Sequence, residues 1–300
     1  MRHAASGLLL CAAAGPVAAH ADAVLVSAGL GRAWIEGCLV ASALGYGLGL
    51  RRLWGAAGVG RGVSRPRALA FCAGWLALAL SLLSPLDTWA ERSFSLHMVQ
   101  HELMMVVAAP LLCLGQPLAV WTWALSLPAR RTVGRLTRHA AWARPWTLLT
   151  APGSAWALHA IAVWGWHVPA AFDTALRHEA LHALQHFSFL ASALLFWWAV
   201  LRPSPRDAQG VSLALLFTTM LHTGALGALL TVAPRPWYGA YDAPAPFGLD
   251  ALADQQLGGL IMWVPAGLAY LAAALALGAR WFDTRASPTR RTVAASNERP

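Results

Sequence analysis

QGVSLALLFTTMLHTGALGALLTV, residues 209–232, decides the fold. It contains no Asp, Glu, Lys or Arg. As a helix rising 1.5 Å per residue it reaches about 36 Å, enough to cross a hydrocarbon core of about 30 Å. In lipid such a run must be helical, because only a helix satisfies its backbone polar groups within one segment. Comparable stretches lie on either side, at 33–53, 68–86, 95–124, 147–168, 178–201 and 252–280. The expected fold class is therefore all-α, a polytopic membrane protein built as a seven-transmembrane helix bundle. The third and seventh stretches exceed one crossing and are expected to tilt or project. Composition agrees: 58% of residues are hydrophobic and 12% charged, against about 25% charged in soluble domains.

The net charge of +9 invites a nucleic-acid reading, but the charge distribution argues against nucleic acid as a partner. All 22 basic residues are arginines, clustered between apolar stretches. One set of connections carries Arg51, Arg52, Arg61, Arg65 and Arg67, then Arg130, Arg131, Arg135, Arg138 and Arg144, then Arg202 and Arg206, then the tail. The opposite connections are acidic or aromatic, with Asp87, Glu91, Asp173, Trp237, Tyr238, Asp242 and Asp250. The positive-inside rule predicts N-terminus outside and C-terminus in the cytoplasm. Alkaline phosphatase fused at residues 90, 170 and 240 is expected to be active, and at 60, 138 and 204 inactive. Activity at the arginine-rich connections would reverse the orientation.

Residues 1–21 have a basic start, an apolar run and Ala19-His20-Ala21, the layout of a cleaved secretory signal peptide. The expected organisation is a signal peptide over 1–21, the seven-helix domain over 22–282 and a disordered cytoplasmic tail over 283–300. Cys38, Cys72 and Cys113 form no Cys-x-x-Cys pair and read as small apolar residues.

The polar residues inside these stretches carry the functional signal. Span three opens with Leu96-His97-Met98-Val99-Gln100-His101-Glu102. Span five opens with His178-Glu179-Ala180-Leu181-His182-Ala183-Leu184-Gln185-His186. Residues four apart share a helix face, about 6 Å apart along the axis. His97 and His101 therefore form one stripe, and His182 and His186 another. Both helices run from outside to inside, so the stripes sit at matching depth in the outer half of the membrane. Paired imidazoles on two helices can enclose a metal ion or hold a haem. His97, His101, His182 and His186 are the expected metal ligands. Asp87, His167, His222, Asp254 and Met262 are expected to complete or orient the site, with Glu102 and Glu179 as further carboxylates beside the imidazoles. Met98, Met104, Met105 and Met220 offer thioethers that suit Cu(I). Intramembrane histidines also bond across helices simply to hold a bundle together, and this reading fits a single residue such as His159. Membrane di-iron enzymes carry histidine clusters too, but on the cytoplasmic side and with His-His doublets, which this sequence lacks.

The sequence resembles the polytopic cytochrome c oxidase assembly factors named CtaG, of the caa-type oxidase systems. The resemblance covers roughly residues 30–275. It rests on Ser84-Pro85-Leu86, His97-Met98-Val99-Gln100-His101, Ala109-Pro110-Leu111-Leu112, Trp164, His167-Val168-Pro169 and Phe172-Asp173. It continues through His182-Ala183-Leu184-Gln185-His186, Phe196-Trp197-Trp198 and Asp254-Gln255-Gln256-Leu257-Gly258-Gly259. Glu102 departs from the apolar residue expected after the second histidine. The resemblance implies a non-enzymatic factor of the bacterial cytoplasmic membrane that binds or delivers copper. Its implied partners are cytochrome c oxidase subunits or other copper-handling assembly proteins, with the lipid bilayer around it. A haem-binding electron-transfer protein is the alternative, and a membrane metalloenzyme a more distant one.

Overall fold

The computed structural model describes residues 32–202, 208–241, 245 and 247–296, with side chains described up to 282 except at 208 and 209. The expected leader, 1–21, lies outside the described residues. The chain divides into two units, one ending at Leu44 and one running from Gly45. The described part of the first is the opening of α1 (Arg32–Ala57), where Arg32 and Glu36 pair across one turn at 3.1 Å.

Every regular element among the described residues is helical. Among the described residues, six helical stretches are long and apolar enough to span a membrane. These are α1, α2 (Arg65–Leu83), the stretch Phe94–Leu114, α11 (Glu179–Leu201), the Gly210–Thr231 part of α12 (Ala208–Thr231), and the Ala251–Phe282 part of α13 (Ala251–Ser296). Two short helices, α3 (Pro85–Ala90) and α10 (Pro169–Arg177), lie in the connections between them. The fourth expected crossing is shorter than its apolar run. Helix α8 (Ala140–Leu149) stops, and α9 (Pro152–Trp166) starts on Pro152 with 15 residues. Pro152 holds Ala151 in extended backbone, which separates the two helices. At about 22 Å, α9 is short of a full hydrocarbon core. Helix α13 continues to Ser296, past Phe282 where the sequence predicts a disordered tail.

The third stretch also departs from expectation. The apolar run 95–124 is not one helix: it ends at Leu114, and α6 (Pro117–Ala124) follows. Pro117 disfavours right-handed helix at the preceding residue, and Gln116 adopts φ 55°, ψ 47°. Within the stretch, α4 (Phe94–Glu102) passes into a π-helical segment (Leu103–Ala108) and then α5 (Ala109–Leu114). Pro110 gives the physical reason. The Ala109 N–H goes back to Met104 O, and Pro110 has no N–H for the Met105 carbonyl. That carbonyl instead accepts from Trp197 Nε1 at 2.9 Å. The bond joins the helix carrying His97 and His101 to α11, which carries His182 and His186.

Helices α12 and α13 approach so closely that a Cβ on Gly227 would sit 2.7 Å from Gly259 O. Small residues at such a crossing allow backbone contact within a bilayer. Gly258 of α13 faces Phe94 and Met98 with no room for a side chain. Helix α13 is thereby seated against the start of α4, where the histidines begin.

Candidate metal centre

Helix α4 begins at Ser93, whose Oγ accepts from Leu96 N. Its first turn is held by Asp254 of α13. The Asp254 carboxylate is 2% exposed and accepts from Ser93 Oγ at 2.9 Å, Phe94 N at 2.6 Å, Ser95 N at 3.3 Å and Ser95 Oγ at 2.5 Å. A carboxylate at a helix N-terminus satisfies free N–H groups and complements the helix dipole. Asp254 thus acts on the site by seating the helix that carries it.

His97 and His101 lie on the next turns, both buried. Opposite them, α11 presents His182 and His186, each partly buried. Ring centroids are 5.3 Å apart for His97 and His182, 5.9 Å for His97 and His186, 5.3 Å for His101 and His186, and 4.3 Å for His182 and His186. Nitrogens from His97, His182 and His186 lie within 4.8 Å of one another. Three imidazoles on one ion at about 2.0–2.1 Å would place their nitrogens roughly 3.3–3.6 Å apart. The observed triad therefore needs only a small contraction.

Hydrogen bonds settle which nitrogen of His97 carries the proton. The Tyr241 hydroxyl lies 2.9 Å from Ala90 O and 2.9 Å from His97 Nδ1. A carbonyl only accepts, so the hydroxyl donates to Ala90 and accepts from His97 Nδ1–H. Burial first, then the carboxylates of Asp254, Glu91 and Asp173, push the Tyr241 hydroxyl well above its ordinary pKa, which keeps it an O–H. His97 Nε2 is consequently an unprotonated lone pair aimed into the cluster. This is the arrangement in which an outer partner orients a metal-binding imidazole. His101 Nε2 sits 2.9 Å from His97 Nε2 and must be the donor of that pair. His101 thus donates to His97, and the three nitrogens that lie within 4.8 Å of one another come from His97, His182 and His186.

Unpartnered polar atoms concentrate here. They include His101 Nδ1, Nε2 of His167, His182 and His186, and both amide atoms of Gln185. A buried polar atom without a partner costs about 1–3 kcal/mol. A cation taking up imidazole lone pairs would remove part of that cost, so the donor set fits an imidazole-ligated ion.

The remaining predicted residues fall in different places. His167 caps α9, with Nδ1 donating to Val163 O at 2.6 Å and Nε2 bare. Its ring shares Phe172 with His97 and Phe189 with His101, so it stands behind the cluster. Asp87 accepts from Gln100 Nε2 at 2.7 Å and interacts electrostatically with His182. His222 is engaged elsewhere: Trp164 Nε1 donates to its Nδ1 at 3.3 Å, and Trp156 packs against its ring. Met262 is buried in α13, two turns beyond Asp254. His178 is exposed at the start of α11. Met220 lines a groove between α12 and α13 with Gly224 and Trp263. Glu102 has a buried, unpartnered Oε2.

Sequence reasoning missed Tyr241. It arrives from a turn 144 residues from His97. Gly239 N and Ala240 N both donate to the Asp173 carboxylate at 3.2 Å, holding the one-turn 3₁₀ segment (Gly239–Tyr241) over the cluster. Tyr238, on the same turn, donates to His167 O at 3.0 Å and stacks on Phe94. The available signal was composition: two of only four tyrosines stand three apart in one connection. Tyr241→Phe should preserve the fold while leaving His97 Nδ1–H unpartnered. A loss of about 10–100-fold in Cu(I) affinity is expected, measured by competition with a chromophoric chelator. Unchanged affinity would separate Tyr241 from the site.

Residues 44–284 match the profile of the cytochrome c oxidase caa3 assembly factor family, Caa3_CtaG. Uncharacterized proteins of Mycobacterium bovis and Mycobacterium tuberculosis are each 30% identical over 258 residues, covering 81% of this chain and 37% of theirs. An uncharacterized protein of Mycobacterium leprae is 27% identical over 228 residues, 72% of this chain and 34% of its own. The chain thus spans little more than a third of the length of these relatives. No solved structure matches it significantly. With profile coverage of nearly the whole bundle, including both histidine stripes and the turn bearing Tyr241, the chain belongs to the cytochrome c oxidase caa3 assembly factor (CtaG) family.

Proposed function

We propose that the protein binds copper at His97, His182 and His186 and supplies it during maturation of cytochrome c oxidase, with no turnover of its own. The observation that carries this reading is the triad, His97 buried and His182 and His186 partly so, with its nitrogens within 4.8 Å and its His97 lone pair oriented by Tyr241. Neutral imidazoles suit copper, and binding at His97 Nε2 displaces the hydrogen bond from His101, which stands beside the three-imidazole site. An ion fits better than haem. Ring centroids in the cluster are 4.2–5.9 Å apart, and fully buried Phe172 and Phe189 pack against the imidazoles where a macrocycle would need a slot. Oxidase subunits or other copper-handling assembly proteins are the proposed partners. The proposed setting is the bacterial cytoplasmic membrane, with the site toward the outer face and the C-terminus inside.

Elemental analysis and an optical spectrum of gently purified protein test the reading. One copper per chain and no Soret band are expected. Stoichiometric haem, or protein that stays copper-free after incubation with Cu(I), would overturn it. In cells, deletion should leave oxidase subunits present but lower the amount of active oxidase.

A further inference from the structure

On the arginine-rich side, α7 (Leu127–Leu136) and α8 connect α6 to α9, and neither contains a buried residue. Between residues 125 and 150 there are five arginines and no Asp or Glu. Arg131 and Arg135 lie one turn apart on one face of α7, and Arg138 follows in the turn just past its end, so the three form one basic row. Ala129, Val133 and Leu136 occupy the opposite face. With Arg130, the row lines an open groove of about 730 Å³ that also includes Pro128, Thr132 and Gly134. Among the described residues none of these four guanidinium groups has a carboxylate within ion-pair distance. Arg130 rests on the Trp123 ring at 3.8 Å, with its Nε buried and unpartnered.

Like charges at i, i+4 destabilise a helix unless counter-charge is supplied. The apolar side chains nearby are also uncovered: Leu136 is 62% exposed, Trp142 59% and Leu148 65%. A helix pair with a basic row and exposed Leu and Trp matches the chemistry of a bilayer interface. Arginine forks match phosphate oxygens in particular.

We infer that the α7–α8 segment lies in the interface of the leaflet on its own side and binds the phosphodiester headgroups of anionic phospholipid through Arg131, Arg135 and Arg138. Charge complementarity selects this occupant: the groove offers only positive charge, beside apolar side chains that acyl chains can cover. The contact holds the α6–α9 connection against the membrane, independently of the histidine cluster.

The test titrates phosphatidylglycerol or phosphatidylcholine into detergent-solubilised full-length protein and counts bound lipid by native mass spectrometry. Phosphatidylglycerol is expected to bind at least tenfold more tightly, with the preference weakening as salt rises. R131Q/R135Q/R138Q should lower phosphatidylglycerol affinity on the order of a hundredfold, whereas R131K/R135K/R138K should keep most of it. Inorganic phosphate at equal concentration should not displace the lipid. Equal binding of both lipids, full binding by the glutamine variant, or displacement by inorganic phosphate would each overturn the inference. Should the glutamine variant fail to fold, lipid selectivity and its salt dependence in the unmodified protein still decide.

Discussion

His186→Ala is expected to lower Cu(I) affinity by more than about 100-fold, a larger loss than removing an outer-sphere partner produces. His186 faces both histidines of α4, with ring centroids 5.9 Å from His97 and 5.3 Å from His101. Its Nε2 is buried without a partner, so alanine removes a ring nitrogen that no hydrogen bond among the described residues occupies. His97→Ala and His182→Ala should behave alike. His101→Ala should cost less, because His101 Nε2 donates to His97 Nε2 and its removal leaves the His97 lone pair open. Chelator competition on protein with unchanged helical circular dichroism measures the series. Equal losses at all four positions would restore His101 to full membership, and no loss at His186 would refute the triad.

Asp254→Ala is expected to destabilise the fold by roughly 3–5 kcal/mol. Four donors from Ser93, Phe94 and Ser95 lose their acceptor in a site that is 2% exposed. The effect should reach the histidines, because the released turn immediately precedes His97. Asp254→Asn keeps one acceptor oxygen and the shape, so it should cost less. Thermal unfolding in detergent, read with copper binding, checks both. An Asp254→Ala protein with wild-type stability would show that the start of α4 is held by other contacts.

The histidine stripes were legible in the sequence because two physical rules coincide. A four-residue spacing sets a helix face, and polar groups inside a membrane are costly enough to require a purpose. What separates His101 from the other three was not legible. It depends on tautomers, and those depend on a tyrosine delivered from a distant turn. Asp254 was legible as a polar residue at the right depth, but its role was not. It caps a helix 160 residues away, and such a cap leaves no local pattern. His222 reads from the sequence as a residue that completes or orients the site, whereas in the structure its Nδ1 accepts from Trp164. The span boundaries failed at prolines. The apolar run 95–124 outweighed Gly115-Gln116-Pro117 in the reading, although Pro117 ends that helix. The run 147–168 likewise concealed the start of α9 at Pro152.

X-ray absorption at the copper K edge of protein loaded with one equivalent of Cu(I) tests the central claim most directly. The account predicts a nitrogen-only first shell with outer-shell scattering from three imidazole rings, falling to two in His186→Ala. A sulfur-dominated first shell, or a spectrum unchanged by removing His97, His182 or His186, would contradict it.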